Sequence, residues 1–62
     1  MWKFMVGGKV INEGETVTTF RNESVTYEGI AMSPQGNSGG KIKTSKGTFY
    51  PPVCGGTIEW VD

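Results

Sequence analysis

The sequence contains no leucine and no histidine, and only one cysteine, one alanine and one glutamine among its 62 residues. Leucine, alanine and glutamine are among the strongest helix formers, so a chain nearly devoid of them is not expected to be helical. Without histidine it lacks both the commonest metal ligand and the side chain most used as a general base near neutral pH. The lone Cys54 cannot close an internal disulfide, so no oxidising compartment is implied. No apolar run approaches the roughly 20 residues of a membrane-spanning helix. The opening M-W-K-F-M-V-G-G-K lacks the apolar core of a secretory leader. The expected location is cytoplasmic by default, with no membrane partner. Net charge is absent too, six basic residues balancing six acidic ones. That balance disfavours sequence-independent coating of nucleic acid, whose affinity comes from neutralising phosphates.

What remains suits a pleated surface. There are six valines, four isoleucines, seven threonines and seven aromatic residues (three Phe, two Tyr, two Trp), punctuated by ten glycines and three prolines. A chain of this length is expected to form one domain, residues 1–62, burying only about 60% of the surface its unfolded chain exposes. The core is small for an isolated domain, which makes self-association attractive.

The organising stretch is V-T-Y-E-G-I-A-M, Val25 to Met32. Val25 and Tyr27 alternate with Thr26 and Glu28, the two-residue period of a half-buried strand. At Gly29 the pattern slips to Ile30 and Met32. A bulge there would return both to the face of Val25 and Tyr27 and bend the strand. Around it, Trp2, Phe4 and Val6 alternate on a first strand that Gly7-Gly8 breaks or bends. Lys9 to Ile11 is extended, and Asn12-Glu13-Gly14 fits a three-residue hairpin loop closed by a left-handed glycine. Glu15 to Phe20 returns with ambiguous parity, since Val17 and Phe20 cannot both face inward. Arg21-Asn22-Glu23 turns the chain again.

Residues 33–40, S-P-Q-G-N-S-G-G, read as a long flexible connection. Lys41 to Thr44 is a short strand with Ile42 inward and its lysines outward. Ser45-Lys46-Gly47 repeats the hairpin chemistry, Thr48 to Tyr50 pairs back, and Pro51-Pro52 ends the pairing. The last strand, Thr57 to Val61, places Ile58 and Trp60 on one face. The inward parities predict a core of Trp2, Phe4, Val6, Val25, Tyr27, Ile30, Ile42, Phe49, Ile58 and Trp60. A buried Trp60 truncated to alanine would cost roughly 3–5 kcal/mol.

These elements predict an all-β fold: a small five- to six-stranded antiparallel barrel or strongly bent sheet, SH3-like or OB-like. G-T-F-Y-P-P-V, Gly47 to Val53, resembles the G-x-F-P element that closes SH3 domains. The aromatic-rich motif and paired tryptophan of that family's ligand groove have no counterpart here, so no binding residue is carried over.

Gly36-Asn37-Ser38-Gly39-Gly40 resembles the G-D-S-G-G segment around the nucleophile of chymotrypsin-like serine proteases. That serine needs a histidine to take its proton, and 62 residues cannot build that family's two barrels. The string reads as a polar, glycine-rich loop. Carboxylates do not cluster as in a calcium loop, and Gly39-Gly40-Lys41 leads into a strand rather than a phosphate-binding helix. Cys54 has no neighbouring base or cation and reads as a small apolar residue. No catalytic residue, metal site or small-molecule cofactor is therefore expected, and the chain is not expected to be an enzyme.

Two surfaces stand out. Lys41, Lys43 and Lys46, with Phe49, Tyr50 and Trp60 expected on adjoining strands, form a face of the kind that holds single-stranded nucleic acid. Lysines on a short strand also serve simply to discourage edge pairing. Met5 and Val61 fall on the outward parity of the first and last strands. If those strands lie side by side, the two residues would join in an apolar patch suited to self-association. The expected function is a non-catalytic interaction module that binds protein, itself included. The alternative is a nucleic-acid-binding barrel using the lysine face.

Overall fold

In a computed structural model describing all 62 residues, Ser24–Met32 forms the longest strand, as its alternation predicts. It is the fourth of seven: β1 (Trp2–Val6), β2 (Lys9–Ile11), β3 (Thr16–Thr18), β4 (Ser24–Met32), β5 (Lys41–Thr44), β6 (Gly47–Phe49) and β7 (Gly56–Trp60). A 3-10 turn at Pro51–Cys54 is the one helical element. All pairings are antiparallel. They build a three-stranded sheet, β2-β1-β7, and a four-stranded sheet, β3-β4-β5-β6. The sheets do not close on each other, so the fold is the strongly bent sheet rather than the closed barrel. No helix is long and apolar enough to cross a membrane.

The bend comes from β4. Its first part pairs with β3 and its second with β5, and the register against β5 shifts twice, between Tyr27 and Gly29 and between Ile30 and Met32. The first shift is the predicted bulge, with Gly29 at a φ of 127°. It sets Ile30 opposite the buried Ile42 and packs it against the core. The second shift was not expected. It sets Met32 opposite Lys41 and leaves it exposed rather than on the face of Val25 and Tyr27.

The turns divide differently from the sequence reading. Gly7-Gly8, with φ of 58° and 81°, closes a two-residue hairpin between β1 and β2, since Val6 pairs with Lys9. Two adjacent positive-φ residues are what the twist of a tight hairpin requires. Asn12-Glu13-Gly14 is therefore not a hairpin loop. It is a corner carrying the chain from one sheet to the other, although Gly14 has the expected positive φ of 94°. Ser45-Lys46 turns β5 into β6, with Gly47 at a φ of 120°. The predicted strand Glu15–Phe20 ends at Thr18. The buried Thr19 hydroxyl accepts the backbone N–H groups of Arg21 and Glu23, both at 3.3 Å, and turns the chain. That removes the parity conflict: Val17 is buried on β3, while Phe20 lies beyond the strand and is exposed.

The 33–40 connection is folded back on itself. Gln35 and Ser38 exchange two backbone hydrogen bonds, of 3.1 and 2.8 Å, around Gly36-Asn37. It ends at buried Gly40, where a Cβ would lie 2.5 Å from the Met32 carbonyl oxygen and 2.9 Å from Ile58 Cδ1.

One apolar cluster fills the space between the sheets: Phe4, Val17, Val25, Tyr27, Ile42, Cys54 and Ile58, with Val6, Ile11, Ile30 and Phe49 partly buried against it. Eight of the ten residues predicted for the core are in this set; Trp2 and Trp60 are not. Their parity is inward, on the same side as Phe4 and Ile58, but they are 36% and 61% exposed. β4 packs against β1 and the Pro51–Cys54 turn against β7, leaving the tryptophan end bare. Cys54 is buried, as expected for an apolar role.

Candidate functional site

The uncovered end of the three-stranded sheet is built by register. Antiparallel pairing sets Trp2 opposite Trp60, Lys3 opposite Glu59 and Phe4 opposite Ile58. The two indoles meet edge to face, with centroids 5.3 Å apart and planes at 82°. Trp60 Nε1 donates to Asp62 Oδ1 at 3.2 Å. Below Trp2, the rings of Phe4 and Tyr27 pack with centroids 5.0 Å apart.

Between this end and β4 lies a pocket of about 180 Å³, reached by Trp2, Phe4, Tyr27, Ile30 and Glu13. Glu13 is placed there by the corner after β2, its side chain lying over Gly29, where a Cβ would come 3.7 Å from its Cδ. Burial pushes the Tyr27 phenol above its ordinary value, and the Glu13 charge adds to that shift. A second hollow, of about 210 Å³, is bounded by Gly39, Pro51, Pro52 and Gly56–Ile58 and presents no charged side chain.

Of the predicted lysine face, the structure brings together Lys41, Lys43 and Tyr50 on the outer side of β5 and β6; Phe49 packs against the core and Trp60 belongs to the other sheet. Lys41 Nζ lies 5.4 Å from the centre of the exposed Tyr50 ring. Met32 stands on the other side of Lys41, and Thr48 faces Lys43. Lys46 is at the hairpin tip with its Nζ 3.8 Å from the Glu23 carboxylate. It is thus drawn toward the β3–β4 turn, away from the other two.

The first and last strands do lie side by side, which is what the Met5–Val61 surface required. Met5 and Val61 share the outer side of that sheet, both half-buried. Lys3 and Glu59 sit between them, Met5 facing Val10 and Thr57 while Val61 bonds to Met1. The apolar surface is therefore divided by a charged pair rather than continuous.

The sequence reading missed Glu13 and the tryptophan pair as surface features, and Tyr27, correctly assigned to the core, as part of a pocket lining. Parity assigned both tryptophans correctly to the inner face, and only the extent of the opposing sheet shows that this end is bare. No family model matches the chain, and no curated protein or solved structure is found to be similar to it.

Proposed function

We propose that the chain is a non-catalytic β interaction module that binds protein, another copy of itself included. The observation supporting this most is the exposed Trp2–Trp60 pair. A domain with so few large apolar residues gains stability by burying its tryptophans, yet here two stand at the surface beside a pocket. Tryptophan is over-represented among the residues that dominate binding energy at protein contacts. Met5 and Val61 lie on the opposite, outer side of the same sheet, divided by Lys3 and Glu59.

Sedimentation equilibrium of the wild-type chain, Trp60→Lys and Met5→Lys, combined with selection of peptides from a random displayed library, tests the reading. The expected result is a dimer, or a set of selected peptides, lost on Trp60→Lys. A clean monomer at high micromolar concentration with no enriched peptide overturns it.

A second reading rests on the Lys41–Tyr50 contact. Two outward lysines beside an exposed aromatic ring are elements of single-stranded nucleic-acid binding. The pairing of Lys46 with Glu23 weakens the patch. Oligonucleotide affinity that falls steeply with salt and is lost on Lys41→Glu would favour this reading over the first.

A further inference from the structure

We infer that the pocket between β1 and the β4 bulge takes the guanidinium of an arginine side chain presented by a protein partner. The inference rests on the chain being a protein-binding module. It adds the chemistry of the group recognised.

Volume narrows the occupant first. About 180 Å³ is below the roughly 300–1,000 Å³ of pockets that enclose cofactors and drug-sized ligands. One long side chain is of the right size. The chemistry of the lining then decides which.

Phe4 and Tyr27 are buried beneath the pocket, and Trp2 presents its half-exposed indole beside it. Aromatic faces attract cations through the ring quadrupole, and the planar guanidinium also stacks on them. Two of the polar groups lining it can accept, the Glu13 carboxylate and the Tyr27 phenol oxygen, and Asn12 adds an amide beside them. Glu13 is exposed and forms none of the chain's ion pairs, which join Lys9 to Glu15 and Lys46 to Glu23. The Tyr27 hydroxyl takes part in none of the side-chain hydrogen bonds, although 96% of the residue's surface is buried (4% exposed). That hydroxyl is not sealed off either, and Tyr27 is one of the residues lining the pocket. A carboxylate and a phenol oxygen without internal partners suit a group that only donates. Guanidinium carries five donors and no acceptor.

Lys3 is the one cation at the rim. Its parity places it on the outer side of β1, opposite Glu59, so that the inward side keeps Glu13 as its charge. Glu13 lies over the bulge, at van der Waals distance from where a Gly29 side chain would begin.

The test is a heteronuclear NMR titration of the whole chain with three blocked tripeptides: Gly-Arg-Gly, Gly-citrulline-Gly and Gly-Glu-Gly. Citrulline keeps the shape of arginine without its charge. The expected result is saturable shifts at the Trp2 indole, Gly29 and Ile30 with the arginine peptide alone, at roughly millimolar affinity for so small a probe. Glu13→Gln, on an exposed side chain, should weaken that binding roughly tenfold, the loss of one charge-assisted hydrogen bond. Trp2→Ala should weaken it as well. Equal shifts with citrulline, preferential binding of the glutamate peptide, or an unchanged affinity in Glu13→Gln each overturn the inference. These outcomes are separable from the interaction-module reading. A chain that dimerises or selects peptides through Trp60 but ignores arginine keeps that reading and loses this one. Arginine binding without any protein contact keeps the guanidinium pocket but overturns both the module reading and the protein partner inferred for it.

Discussion

Trp2 and Trp60 face one another at a non-hydrogen-bonded position of the β1–β7 ladder. Their neighbours show it: the Met1 amino group donates to the Val61 carbonyl at 2.6 Å, and the Val61 N–H donates to the Met1 carbonyl at 2.8 Å. Hydrogen-bonded and non-bonded pairs alternate along an antiparallel ladder, and the non-bonded pairs bring side chains closer together. The edge-to-face indoles follow from that position. Neither belongs to the buried core, and Trp60 is the more exposed of the two.

Truncation should therefore be mild. An aromatic pair contributes about 0.5–1.5 kcal/mol beyond the area it buries. Trp60→Ala is expected to cost about 1–2 kcal/mol, and Trp2→Ala with Trp60→Ala little more than the larger single effect. Phe4→Ala, at a fully buried position, should cost about 3–5 kcal/mol. Urea unfolding of the four variants checks the order.

Gly56 is buried at the start of β7, paired with Val6 of β1. A Cβ there would run into the Met5 carbonyl oxygen and lie 2.7 Å from Phe4 Cε1. Backbone cannot yield as a flexible side chain does, so Gly56→Ala should lower the melting temperature more than Gly14→Ala. A Cβ at Gly14 meets nothing within 4 Å, and the strain of its positive φ of 94° alone is about 1–2 kcal/mol. Equal shifts in thermal unfolding would refute the close approach.

Alkaline pH should lower the stability of the chain in two stages. Burial holds the Cys54 thiol above its ordinary 9.0, and burial followed by the Glu13 charge holds Tyr27 above its ordinary 10.0. For both, the folded state favours the protonated form. That stabilisation is complete below the unfolded values and is lost as pH rises through the folded ones. Melting temperatures should decline above about pH 9, and in Cys54→Ala the decline should begin nearer pH 10. The native thiol should also resist alkylation until the chain unfolds.

The acid limb carries the opposite sign. Glu15 accepts the Asn12 backbone N–H at 2.6 Å and lies 3.7 Å from Lys9 Nζ. The backbone hydrogen bond first, and Lys9 after it, hold its carboxyl below the ordinary 4.5. Its contribution is present above that value and disappears as pH falls. Glu15→Gln should flatten the acid side of the stability profile and leave the alkaline side unchanged.

Local chemistry was legible in the sequence. Alternation marked the strands, the slip at Gly29 marked a bulge, and Gly14 and Gly47 adopt the positive φ their positions suggested. What escaped depends on residues distant in the chain. Asn12-Glu13-Gly14 and Gly7-Gly8 are both turn sequences, and only the pairing of Val6 with Lys9 decides which closes a hairpin. The second shift in β4 falls at Ala31, which has no turn or breaker character. Lys46 reads like Lys41 and Lys43 until Glu23 is found across the hairpin tip. The tryptophan end escaped because parity says which side of a sheet a residue is on, not how far the opposite sheet extends. Gln35–Ser38 pairing likewise gave no apolar signal to find.

The two register shifts in β4 can also be expressed as a difference in length. From Tyr27 to Met32 the strand uses six residues to pass the four of Lys41–Thr44. At about 3.3 Å per residue, β4 carries roughly 7 Å more contour than the neighbour to which it is bonded. A ribbon bonded to a shorter one has to curl, so the arc of this sheet is written into a residue count. Deleting Glu28 or Ala31 would halve the surplus and flatten the arc. It would also change the gap between the sheets into which Glu13 and Trp2 project, without touching either residue.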